Sequence, residues 1–228
     1  MSNIFILKTA VSVTANIETS LYATIKEHGA RAMELLQIGT PVNITVYPNA
    51  GWTIPETGEG GYTPTGDWIQ ISLDLTGKTH EVRTVIEKRL PATIYHEMNH
   101  IKRWNTVGFG ATFIENLISE GLACAFELEQ AEHDVKPFFL ASESEIKELF
   151  TVVASSNDRI QNSYSYFDWF TVGNTEIPKW LGYKLGYYVI SEVLNRDPNL
   201  KVLGLMDKSA QELISMSGID ELNNIAEF

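Results

Sequence analysis

The sequence predicts an α+β protein in which a small sheet comes early and a mainly helical lobe follows. Residues 42–47 and 68–75 alternate apolar and polar side chains, as half-buried strands do. Beyond residue 90 the apolar positions recur at helical spacing in one stretch after another. A length of 228 residues suits one domain with two lobes flanking a cleft, residues 1–104 forming an α/β lobe and 105–228 a helical one.

Residues 17–38 read as the first helix: Leu21, Ile25, Ala32, Leu35 and Leu36 keep its spacing, Gly39 closes it, and Gly29 offers a place for a kink. Pro41 then leads into the first strand pattern. Residues 48–66 are dense in Gly, Pro, Thr and Asn, hold Trp52 and Tyr62, and show no period. They read as a long loop, either a plain connector or the rim of a cleft. The second strand pattern is Trp68-Ile69-Gln70-Ile71-Ser72-Leu73-Asp74-Leu75.

A short helix fits residues 79–89, and Pro91 suits the opening of the next, which continues from Ala92 to Trp104 with Ile94, Met98 and Ile101 as its packing stripe. Gly108 and Gly110 break the chain before a helix over 112–130 that can bury Phe113, Leu117, Leu122, Ala125 and Phe126. Another helix fits 143–155. Residues 157–175 are aromatic and polar and match no template. Helices over 178–194 and 209–217 complete the chain, the last stopped by Gly218. No internal repeat is present.

The helix after Pro91 carries His96-Glu97-Met98-Asn99-His100. A spacing of four puts the two histidines one turn apart on one face, where both imidazoles can ligate one Zn2+. Glu97 lies about 100° further round, outside ligand position but within reach of a water on the metal, as a general base requires. A catalytic zinc site needs a third protein ligand and an open position for water. Glu120, on the next helix among Leu117, Ile118 and Leu122, is the candidate, since a buried carboxylate calls for a cation. The bland alternative is a solvated glutamate. Hydrolysis also wants a donor for the developing oxyanion. Tyr183 and Tyr187 share one helical face beside the glycine row Gly182 and Gly186, which lets another backbone come close. Tyr183 is the first choice and Tyr187 the second, with plain aromatic packing as the competing account.

A net charge of −12 and a pI near 4.8 argue against nucleic acid or an anionic membrane as partner, since both demand clustered basic residues. No stretch approaches the ~20 apolar residues that cross a bilayer, and the N-terminal apolar run is too short for a signal segment. Cys124 is the single cysteine, which excludes an intrachain disulfide and fits a reducing, cytoplasmic setting. His28, His80 and His133 match no motif and read as surface residues. Oligomeric state is left open.

His96-Glu97-x-x-His100 followed by a glutamate on the next helix resembles the gluzincin metallopeptidases. More narrowly, the order of parts is similar to the predicted zinc-dependent proteases of the bacterial YjaZ type. The matching parts are the strand 68–75, the histidine motif, Glu120-Gly121-Leu122-Ala123 and Gly182-Tyr183-x-x-Gly186-Tyr187. The resemblance implies a zincin-like fold with a sheet edge above the motif helix, one zinc ion, and a peptide or protein substrate. It also implies that the edge strand, around Ile69 to Leu73 and with Gly60-Gly61-Tyr62, binds extended substrate through its backbone. The chain departs where many gluzincins carry an aspartate four residues after the glutamate ligand; Cys124 stands there, and Asn116 is the substitute considered for orienting a histidine. Two rival functions share this architecture: a metal-retaining module that binds protein without cleaving it, and a zinc hydrolase of a non-peptide amide or ester.

Overall fold

The computed structural model describes residues 2–6, 14–108, 110–131 and 137–223, so His133 lies outside the described residues. The chain divides into two compact units: Met1–Asn105 with Phe126–Val135, and Thr106–Ala125 with Lys136–Phe228.

The first unit holds β1 (Ser2–Ile6), α1 (Ala15–Leu35), β2 (Val42–Pro48), β3 (Glu59–Thr65), β4 (Trp68–Leu73), α2 (Thr79–Thr84) and α3 (Leu90–Trp104). The sheet order is β1-β2-β4-β3. β1, β2 and β4 run parallel, with Ile44 opposite Ile69 and Val46 opposite Ile71; β3 pairs antiparallel with β4. β4 alternates as expected and buries Ile69, Ile71 and Leu73. β2 does not alternate: Val42, Ile44, Thr45 and Val46 are all buried, as in a strand covered on both faces.

Residues 48–66 are not one loop. They hold a 3₁₀ turn, Ala50–Trp52, and then β3. With β3 in place, β4 has neighbours on both sides and is not the edge; the edge near α3 is Glu59–Thr65. Pro64 is tolerated there because an edge strand need not donate outward. The first helix stops at Leu35, and Gln37, at φ 54, turns the chain ahead of Gly39. Gly29 is buried within an unbroken α1. A π-helical turn over Val85–Arg89 joins α2 to α3: Pro91 has no N–H to bond back, and the ladder opens one wide turn before it. α3 packs against α1 and β3. His28 is half-buried rather than a surface residue, its Nδ1 lying 3.3 Å from the Tyr95 hydroxyl, whereas His80 is exposed.

The second unit is helical: α5 (Glu143–Ser155), α6 (Asn157–Ser163), α7 (Leu181–Arg196) and α8 (Ala210–Ser217), with the first part of α4 (Phe113–Gln130). α4 is one continuous helix whose residues from Phe126 onward belong to the first unit, where Phe126 packs edge-on against Tyr95. The aromatic stretch 157–175 resolves into α6 and a π-helical turn, Phe167–Thr171, that buries Trp169 and Phe170. α7 starts three residues after Pro178, at a left-handed Trp180 with φ 65, and packs against α5, α8 and that π-helical turn. No helix among the described residues is long and apolar enough to cross a membrane.

Candidate metal centre

His96, Glu97 and His100 are all buried on α3. The two imidazoles meet edge to face, their centroids 4.9 Å apart, as a one-turn spacing dictates. His96 Nδ1 donates to Glu127 Oε2 at 3.1 Å, and both side chains are buried. That bond fixes the ring and its tautomer and makes Nε2 the nitrogen suited to a metal. Glu127, and not Asn116, is the residue that orients His96. Asn116 instead donates to the Tyr164 hydroxyl at 2.9 Å and to the Thr112 carbonyl. Cys124 is buried, as a small apolar residue would be.

Glu97 is held from the edge strand. Between Tyr62 and Thr65, β3 carries an irregularity in its register with β4, and such a bulge re-aims the side chains within it. Thr63 is buried there and donates to Glu97 Oε2 at 2.7 Å. Gly61 abuts the same carboxylate: a Cβ at that position would stand 2.7 Å from Glu97 Cδ. Sequence patterns missed Thr63 because its strand has no apolar alternation to reveal it.

In the second unit Glu120 is buried and accepts from the Tyr166 hydroxyl at 2.8 Å. Tyr166 is in turn 3.2 Å, oxygen to oxygen, from Tyr183. Burial, with the neighbouring Glu120 carboxylate, holds the Tyr166 phenol well above the usual tyrosine range, so it stays a donor. Tyr183 is thereby linked to Glu120 through one hydroxyl, while Tyr187 packs its ring against Phe139, centroids 5.0 Å apart. The glycine row of α7 does bring backbones close. A Cβ at Gly186 would stand 3.0 Å from the Gly121 nitrogen, and one at Gly182 would strike the Phe170 ring. Tyr166 was hidden in the aromatic stretch that fits no period.

Two imidazoles and one carboxylate, all buried, form a donor set that suits zinc better than a hard cation such as Mg2+. His96, His100 and Glu120 make up a group that could hold a metal ion. No match to the chain was found among curated proteins or among solved structures. A family model does match, over residues 21–215, and the chain accordingly belongs to the family described as predicted Zn-dependent proteases (DUF2268).

Proposed function

We propose that the chain is a zinc-dependent metallopeptidase in which His96, His100 and Glu120 hold one zinc ion and Glu97 is the general base. The observation that carries this reading is the buried carboxylate behind a buried histidine, Glu127 on His96 Nδ1, beside a second imidazole one turn along. Any buried imidazole N–H needs an acceptor, but a buried carboxylate in that place, which fixes the tautomer and makes the other nitrogen a better ligand, is the partner a metal-binding histidine commonly has. Glu120 and Glu127 are two turns apart on one face of α4, so the helix that presents Glu127 to His96 carries Glu120 on the same side. Bound by these residues, zinc would acidify a water and polarise a substrate carbonyl.

The protein's own groups do the rest. Thr63 fixes one oxygen of Glu97, leaving the carboxylate oriented to take a proton from water and pass it to a leaving amine. Tyr183 is the proposed oxyanion donor, ahead of Tyr187, because its hydroxyl already belongs to the Glu120 network. The substrate reading comes from β3. An edge strand offers backbone hydrogen bonds to an extended peptide, and Gly61 of this edge lies against the base.

Metal analysis of the purified protein, paired with a broad peptide-cleavage screen, tests the proposal. About one zinc per chain and cleavage that is lost to a chelator and restored by zinc are expected. Zinc without cleavage of any peptide would turn the reading toward a binding module or a non-peptide hydrolase; a protein that takes up no zinc would overturn it.

A further inference from the structure

Resting on that zinc-site reading, we propose that Tyr166 is the positioning residue of the third ligand: its hydroxyl commits one oxygen of Glu120 to the protein so that the other is presented to the ion. The hydroxyl donates to Glu120 Oε1 at 2.8 Å. It is itself rigidly placed, because the Tyr166 ring stacks on Phe170 with centroids 4.8 Å apart and planes within 3°. Phe170 is fully buried and can sit where it does because α7 offers Gly182; a Cβ there would come within 2.6 Å of Phe170 Cζ. The stack is built at the π-helical turn Phe167–Thr171, a distortion of the kind frequent at functional sites.

A proton count extends the argument to Tyr183. Tyr166 has one proton and spends it on the carboxylate, so across the 3.2 Å contact Tyr183 is the donor and Tyr166 the acceptor. One phenol thus fixes Glu120 and accepts the Tyr183 proton, and Tyr183 must turn its O–H away from Tyr166 before it can donate to an oxyanion.

The variant Tyr166→Phe keeps the stacked ring and deletes only the hydroxyl. Zinc affinity, measured by competition with a chromophoric chelator, should fall about 10- to 100-fold against the wild type. The visible spectrum of the cobalt-loaded protein should shift as the carboxylate changes its mode of binding. Tyr164→Phe removes a neighbouring hydroxyl that bonds Asn116 instead, and should leave both readouts unchanged. Wild-type affinity together with a wild-type cobalt spectrum in Tyr166→Phe overturns the proposal, as does an equal loss in Tyr164→Phe. A wild-type protein that binds neither metal overturns the zinc-site reading and this inference with it.

Discussion

Thr63 on the edge strand and Glu97 on the motif helix are joined by a 2.7 Å hydrogen bond, both side chains buried. A bond to a charged acceptor of this kind is worth about 1.5–3 kcal/mol. Thr63→Val keeps the shape and removes the donor. The expected outcome is a fall in kcat of roughly 10- to 100-fold with zinc content unchanged, checked by steady-state kinetics beside metal analysis. A fall in zinc content instead would make Thr63 a structural support of α3.

Glu97→Gln preserves volume and removes the proposed base. Zinc should still bind, because this carboxylate is not among the proposed ligands, while turnover should drop by at least about 10²-fold. Retained turnover in that variant, measured on the best peptide from the screen, would remove Glu97 from the mechanism.

The motif helix and the helices over 113–130 and 143–155 were legible because their apolar residues keep one spacing over several turns. β3 was not legible: Glu-Gly-Gly-Tyr-Thr-Pro-Thr has no alternation and low strand propensity, and it is a strand because β4 offers it an open side. The edge position that the resemblance implies for Ile69 to Leu73 belongs to β3 instead, and alternation could not have shown this, since it reports which face is buried and not how many neighbours a strand has. β1 was passed over as a short apolar terminus, its pairing to β2 being non-local. Within the site, Glu127 had a signal that could have been used, since it recurs seven residues after Glu120 on one face of α4. Tyr166 had none, because a π-helical turn breaks the period that would have placed it.

Glu127→Gln tests the support behind His96. The amide can no longer accept as a carboxylate does, and zinc affinity should weaken by about 10- to 100-fold while the fold survives. Competitive zinc titration and thermal melting of the metal-free protein read the two effects separately. Equal zinc affinity in variant and wild type would show that the His96 to Glu127 bond serves only the packing of α4 on α3.

Gly121 and Gly186 predict where α4 and α7 can tolerate no side chain. A Cβ on Gly121 would stand 3.0 Å from Gly186 Cα and nearer still to its carbonyl carbon and oxygen, all backbone atoms that cannot rotate away. Gly121→Ala must therefore push the two helices apart, and overpacking of this kind costs about 1–3 kcal/mol. In a chain of this size each kcal/mol lowers Tm by roughly 2–4 °C. Glu120 adjoins Gly121, and Tyr183 lies one turn before Gly186, so the same displacement should separate the proposed ligand from the hydroxyl network and weaken zinc binding together with stability. Gly204→Ala, at a position where nothing lies within 4 Å of an added Cβ, is the comparison and should change neither. A Gly121→Ala protein that melts lower yet binds zinc as tightly as the wild type would separate the packing role of this glycine pair from the metal site.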